Sequence, residues 1–381
     1  MAEIKNLKKA AKRIIRAIKS KENIILYGDS DMDGVSSVII AKEAIENLGG
    51  KIAQVYFPER ENEGYGITET ALNFLKKHSP ALLITFDCGI SNFEEIDLAK
   101  KMGFEVIVVD HHEILDKLPK ASIVVDPKQK GDKYPFKFFA AAGLSFKLAQ
   151  KLLGKKLTDS LKRNFLELAA LATIADMMAE EADNKAIIEE GLLYLEQTFR
   201  PGLRVFLEMP EIKEEVSTRK IAQEIISTLN IVDPKDHLNT TYLLLSSPSV
   251  KEAKSMAQAL LEKRDKKRAE IKEITEVVED RLSKSPAEPI VFERSTQWPV
   301  AFLGAVASRI CAKHQKPTFI ISQKETESRG AVRMPQGLDA VALMKKCSNY
   351  LLTFGGHPPA AGFAIKNENL EKFKECLIKN L

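Results

Sequence analysis

Asp29, Asp31 and Asp33 stand at alternate positions in Ile24 to Gly34, an apolar run that ends in Gly-Asp-Ser-Asp-Met-Asp-Gly. Three negative charges packed so closely repel one another unless a cation neutralises them or water screens them. A solvated acidic turn would account for this trio alone, but further groups of the same kind follow. Asp87 opens Asp87-Cys88-Gly89-Ile90-Ser91-Asn92, and Asp110 opens Asp110-His111-His112-Glu113. Asp176 closes the apolar stretch Leu166 to Ile174, where a carboxylate is costly unless it is paired or binds a metal. Carboxylates with one or two histidines form a hard oxygen and nitrogen donor set suited to Mn²⁺ or Mg²⁺. So many acids would leave excess negative charge around one divalent ion, so two ions are the better match. Metals about 3.5–4 Å apart clamp a scissile phosphate, which points to phosphoester hydrolysis. Asp29, Asp31, Asp87, His111 and Asp176 are the expected ligands. Asp33, Asp110 and His112 either ligate or support the ligands, an acid orienting a histidine or a histidine polarising the phosphate.

These residues must be brought together by their elements. Ile24 to Leu26 reads as a buried parallel strand, with strands also expected at Ile52 to Phe57, Ala81 to Phe86, Glu105 to Val109 and near Val124. Helices are expected at Val35 to Leu48, Thr68 to Lys77 and Phe93 to Met102. Parallel strands put their carboxyl ends on one edge, so the aspartates and histidines converge although they are far apart in sequence. The pattern turns helical from Ala140 to about Tyr194, and Ser249 to Lys284 reads as one long helix free of Gly and Pro. Its basic middle, Lys263 to Arg268, reads either as a solvated face or as the lining of a polyanion cleft. Beyond Pro286 and Pro289, strands at Ile290 to Phe292, Thr318 to Ile321 and Ser328 to Arg333 alternate with helices, and Phe354-Gly355-Gly356-His357 reads either as a place where the backbone approaches a ligand closely or as a plain turn. The expected division is 1–248, a connecting helix over 249–286, and 287–381.

The chain has 381 residues and a formal net charge of +4, which is only weakly suggestive of nucleic acid. No apolar run approaches the length of a membrane span, and Lys5 to Lys21 forms a basic amphipathic helix unlike a signal peptide, so a cytoplasmic protein is expected. Cys88, Cys311, Cys347 and Cys376 have no CxxC spacing and read as small buried residues, with neither a zinc site nor a disulfide framework. The chain lacks a GxxxxGK phosphate loop, and Ser36 and Ser37 have no histidine near them in sequence.

The Asp29 to Gly34, Asp87 to Asn92 and Asp110-His111-His112 segments, the Asp176 helix end and Gly355-Gly356-His357 resemble the ordered motifs of the DHH phosphoesterase superfamily with a DHHA1-type domain. The chain is most similar to the RecJ-like exonucleases. Pro58-Glu59-Arg60, Gly64-Tyr65-Gly66, Tyr134 to Lys137, Arg200 to Leu203, Ala307-Ser308-Arg309 and Arg329 to Arg333 extend the resemblance over nearly the whole chain. It implies an α/β fold: a doubly wound parallel-sheet DHH domain joined by a long helix to a smaller α/β DHHA1 domain, with the active site in the cleft between them. It further implies an Mn²⁺- or Mg²⁺-dependent, single-strand-specific nuclease of repair or replication that releases mononucleotides from the 5′ end. Asp29, Asp31, Asp33, Asp87, Asp110, His111, His112 and Asp176 would form a binuclear centre and its support. His357, with Gly355 and Gly356, would reach the scissile phosphate, while Arg60 and Arg333 would hold the terminal phosphate and Arg309 would add a contact.

Tyr27 stands where many members of the superfamily have histidine, and Ala331 where bacterial relatives have a serine in the phosphate pocket. The chain ends at Leu381, leaving no length for the OB-fold of bacterial relatives, which predicts weak strand binding or a partner that supplies the grip. Single-stranded DNA is the expected partner, with RNA as an alternative and a replisome or GINS-like protein as a further one; no membrane is expected. The competing activities are a nanoRNase or pAp phosphatase acting on short oligonucleotides, and a replisome scaffold. A scaffold without catalysis has no need of a costly acidic cluster.

Overall fold

The computed structural model describes residues 2–60, 62–114, 117–213, 217–231, 234–235, 237–284, 286 and 288–381. The side chains of Glu211, Lys213, Pro234, Lys235 and His357 lie outside that description. The chain divides into two compact units, Met1–Glu262 and Lys263–Leu381.

Unit 1 begins with α1 (Leu7–Lys19), followed by β1 (Asn23–Gly28), α2 (Met32–Asn47), β2 (Ile52–Tyr56) and α3 (Glu69–Leu75). β3 (Ala81–Phe86), α4 (Phe93–Lys101), β4 (Phe104–Val109) and β5 (Ile123–Val125) complete a parallel sheet of order β2-β1-β3-β4-β5. Alternation along the strands shows why their sequences are apolar throughout. Ile24, Leu26, Leu82, Ile84, Ile107 and Val109 face a core shared with α1 and α2, while Ile25, Tyr27, Leu83, Val106 and Val108 face one shared with α3 and α4. A sheet covered on both faces exposes only its ends, and its carboxyl edge carries the acidic motifs.

α5 (Ala141–Leu153), α6 (Asp159–Ala175) and α7 (Ala182–Leu195) enlarge the first core. α8 (Pro201–Leu207), α9 (Pro210–Lys213), α10 (Thr218–Leu229), the short strands β6 (Pro234–Lys235) and β7 (Leu238–Asn239), and α11 (Thr240–Leu245) follow. α12 (Val250–Lys284) is the long helix. Ala253, Ala257, Leu260 and Leu261 pack into the unit 1 core, and Ile271, Ile274 and Val278 into a core of unit 2.

Unit 2 holds β8 (Val291–Ser295), α13 (Val300–His314), β9 (Thr318–Gln323), β10 (Glu327–Arg333), α14 (Ala340–Lys346), β11 (Leu351–His357), β12 (Ala360–Lys366) and α15 (Leu370–Asn380). Its sheet runs β11-β12-β10-β9-β8, with β8 and β9 parallel and the other pairs antiparallel. Two sequence expectations are corrected here. Gly355, Gly356 and His357 end a strand instead of forming a turn, pairing with Gly362, Ala361 and Ala360. Cys347 and Cys376 form a disulfide, while Cys88 and Cys311 are free and buried as expected. The disulfide partners come from different elements, so no local spacing announces them. Among the described residues, no helix is long and apolar enough to cross a membrane.

Candidate metal centre

The β1–α2 junction sets the first carboxylates. Asp31 is the N-cap of α2, its Oδ1 accepting from the backbone N–H of Asp33 at 3.0 Å and of Gly34 at 3.2 Å. A Cβ on Gly34 would lie 2.3 Å from the carbonyl oxygen of Asp29, so only glycine allows so tight a turn. α2 starts at Met32, earlier than the expected Val35, and this places Asp33 inside the helix. Asp33 then meets the N-terminus of α5, where it accepts from the N–H groups of Ala141 and Ala142, both at 2.7 Å. A carboxylate is well suited to a helix N-terminus, whose free N–H groups and dipole favour negative charge.

Asp87 leaves β3 in the left-handed region, φ 61°, a conformation that aspartate tolerates better than most side chains. Its Oδ1 lies 3.1 Å from His111 Nε2, and the same nitrogen is 3.6 Å from Asp176 Oδ2 and 3.8 Å from Asp33 Oδ2. Asp176 is the C-cap of α6, and its buried Oδ2 has no hydrogen-bond partner among the described residues. Asp110, fully buried, ties two loops together. Its Oδ2 accepts from Ile90 N–H at 3.0 Å, and its Oδ1 from His111 N–H at 2.7 Å, and that oxygen lies 2.8 Å from His112 Nδ1.

Three sets of side chains have donor atoms within 4.8 Å of one another: Asp87, His111 and His112; Asp33, His111 and Asp176; and Asp29, Asp31 and Asp87. Asp87 belongs to the first and third sets and His111 to the first and second, so the sets form one continuous cluster. All eight metal-centre candidates from the sequence lie at this edge. Asp110 joins none of the sets and instead holds the histidine loop.

Burial, followed by neighbouring carboxylates, raises Asp33 and Asp87 well above the usual carboxylate range and Asp176 to about 6. Burial and the adjacent His112 lower His111 to about 3, leaving a neutral imidazole free to donate a lone pair. For Asp110, the hydrogen bond and charge of His112 outweigh burial and bring it to about 2; in turn, Asp110 raises His112 against burial. Strained acids, a neutral imidazole and an unpartnered buried carboxylate oxygen together fit hard divalent cations.

Arg60 forks onto the same oxygens, with Nε 2.9 Å from Asp29 Oδ1 and an Nη 2.9 Å from Asp31 Oδ2. Tyr27 points away from the cluster, donating its hydroxyl to Gly66 O at 2.7 Å. Tyr65 enters the sequence reading only within the Gly64-Tyr65-Gly66 motif, with no role of its own, but its hydroxyl belongs to the site. Its hydroxyl donates to Asp87 O at 3.0 Å and lies 3.3 Å from His112 Nε2. A tyrosine between two glycines was the available signal.

The other candidates lie in unit 2. Arg333 donates from Nε to Ser308 Oγ at 3.0 Å and packs against Gly304, and Arg309 is exposed on α13. Gly356 has φ 142°, and a Cβ there would lie 2.5 Å from Ala360 O.

Residues 23–173 match the family model "DHH family, N-terminal domain", and residues 288–381 match the "DHHA1 domain". The single-stranded-DNA-specific exonuclease RecJ of Bacillus subtilis (strain 168) is 33% identical over 98% of this chain and 48% of its own length. Its Thermus thermophilus counterpart is 28% identical over 97% of this chain and 54% of its own length. The chain thus spans about half the length of these curated relatives. A crystal structure of exonuclease RecJ bound to manganese superposes with a TM-score of 0.82 at 26% identity, covering 99% of this chain and 94% of that one. The crystal structure of Thermus thermophilus RecJ in complex with Mn²⁺ gives 0.83 at 25% identity, covering 99% and 54%. The chain carries a DHH-family N-terminal domain followed by a DHHA1 domain, and is homologous to the RecJ exonucleases.

Proposed function

We propose that this protein is a metal-dependent exonuclease that hydrolyses the phosphodiester bonds of single-stranded DNA in the 5′-to-3′ direction and releases mononucleotides. The observation that carries this reading is the sharing of Asp87 and His111 among three adjacent ligand sets, which suits two neighbouring cations better than one. Similarity to proteins named as single-stranded-DNA-specific exonucleases supports the substrate class.

Asp29, Asp31, Asp33, Asp87, His111 and Asp176 would hold the ions, with Mn²⁺ preferred over Mg²⁺. Paired divalent ions supply charge neutralisation at the scissile phosphate and lower the pKa of an attacking water. The chain's own part is to fix the donors before substrate arrives. Asp110 locks both histidine N–H groups, α5 clamps Asp33, and the Tyr65 hydroxyl sits on the edge of His112. His112 donates to the phosphate or the leaving oxygen. Unit 2 would supply substrate contacts through Arg309, Arg333, Gly355, Gly356 and His357, and Arg60 would be unit 1's own contact to a strand phosphate. The protein acts in the cytoplasm, and docking on a replisome component is compatible with this activity.

Comparing long single strands, duplex and very short oligonucleotides as substrates in Mn²⁺ tests the reading. Preferential shortening of the long single strand supports it. Cleavage confined to the short oligonucleotides would favour the nanoRNase activity instead, and no cleavage would leave the scaffold role.

A further inference from the structure

α1 carries Lys8, Lys9, Lys12, Arg13, Arg16 and Lys19 and no acid, while the whole chain has a formal net charge of only +4. Positive charge is therefore concentrated on one element and is not a consequence of composition. Arg13 turns inward to Glu22 and Glu105. The other five cations are exposed, opposite the buried face of Leu7, Ala10, Ala11, Ile14 and Ala17.

The needs of the helix itself do not account for this. Lys8 and Lys9 occupy the first turn, where the helix dipole disfavours cations. Lys8 with Lys12, and Lys12 with Arg16, are like charges four residues apart, an arrangement that destabilises a helix. The N-cap, Asn6, offers no side-chain cap in compensation, and its amide donates to Val124 O at 2.9 Å. A surface shaped for solubility alone intersperses both signs.

The patch is continuous with the edge that carries the metal centre. Lys5 Nζ donates to Lys130 O at 2.7 Å, in the loop that leaves the carboxyl end of β5. β5 neighbours β4, the strand that ends at Asp110. In the same loop Lys130 and Lys133 are exposed, and Lys128 pairs at 2.9 Å with Glu113, the residue after His112. The acids bordering the patch are already engaged, Glu3 by Lys151 and Asp132 by Lys137.

We propose that the outer face of α1, together with Lys130 and Lys133, is an accessory binding surface for the phosphate backbone of a single DNA strand engaged at the carboxylate edge. This rests on the single-strand reading above. The helix is about 20 Å long, so it offers a line of point charges to a line of phosphates. It contains no aromatic residue, so the grip is electrostatic, independent of base sequence and strongly salt-dependent. Its apolar face is buried in the core, which removes the surface an amphipathic helix needs to enter a lipid layer.

The test uses the full chain and the variant K8Q/K9Q/K12Q/R16Q. Binding of a long single-stranded oligonucleotide is followed by fluorescence anisotropy over a salt series in chelator, and hydrolysis of a short oligonucleotide is followed in Mn²⁺. The variant is expected to bind the long strand roughly tenfold more weakly at low salt, with the slope of log K against log[salt] reduced by about 3. Its melting temperature should be equal or higher, and short-oligonucleotide hydrolysis unchanged. K8R/K9R/K12R, which keeps the charge, should behave as the parent does. Parental affinity and slope in the glutamine variant would overturn the surface while leaving the exonuclease reading intact. A parent that binds no single strand would overturn both.

Discussion

Asp110 Oδ1 lies 2.8 Å from His112 Nδ1 and accepts the His111 backbone N–H at 2.7 Å, so one buried carboxylate fixes the loop that presents both histidines. Asp110→Asn keeps an oxygen acceptor but removes the charge that holds the His112 proton. Activity on single strands should fall about 10- to 100-fold, with the fold retained by circular dichroism. The acidic limb of the pH–rate profile should also move, because the pKa of His112 loses its main raising influence. An unchanged profile would remove Asp110 from the account.

The metal-free cluster is electrostatically unfavourable, and this gives its stability a definite pH dependence. Asp33, Asp87 and Asp176 are raised in the folded state, Asp176 to about 6, above the unfolded value near 3.9. Their contribution is complete below that unfolded value and is lost as pH rises through the folded pKa. His111, lowered to about 3, works oppositely and penalises the interval from about 6.5 downward. Cations relieve the acids, so the Mn²⁺-induced rise in melting temperature should grow between pH 5 and 8. It should reach about 5–10 °C at a hundredfold excess over Kd. A pH-independent increment would contradict the ligand assignment.

Arg60 occupies oxygens of Asp29 and Asp31 that a divalent ion would need, so the two would compete. Arg60→Gln should therefore tighten Mn²⁺ binding, measured calorimetrically without DNA, by roughly tenfold, the equivalent of one charged hydrogen bond. The same variant should lose kcat/KM on 5′-phosphorylated strands. Weaker metal binding would show that Arg60 supports the site and does not compete for it.

The Cys347–Cys376 disulfide has a sequence separation of 29, and the segment it closes contains β11 and β12. Closing such a loop restricts the unfolded chain, so Cys347→Ser should lower the stability of unit 2 by about 3–4 kcal/mol in denaturant titration. Mass analysis of alkylated, unreduced protein should find two cysteines blocked and two protected.

The sequence read best where function forced local regularity. Ala81 to Phe86 was expected and found, and the long helix differed only at its first residue, because buried parallel strands and uninterrupted helices have plain apolar patterns. Parallel strand ends share an edge, so the cluster could be assembled from residues far apart. What escaped was non-local. β11 and β12 escaped because two glycines beside a histidine read as a turn, and only the pairing of β11 with β12, and of β12 with β10, makes strands of them. The clamp of α5 on Asp33, the contact of Tyr65 with His112 and the disulfide join residues whose spacing carries no signal.

The cluster's role is tested most directly by a time course on a long single-stranded DNA, labelled at either end in separate reactions, with Mn²⁺, with chelator, and with Asp87→Ala and Asp31→Ala. The prediction is immediate release of the 5′ label as mononucleotide while 3′-labelled strands shorten progressively, with both reactions abolished by chelator and by each substitution. Full activity in chelator or in Asp87→Ala would contradict the assignment of this cluster as the catalytic metal centre.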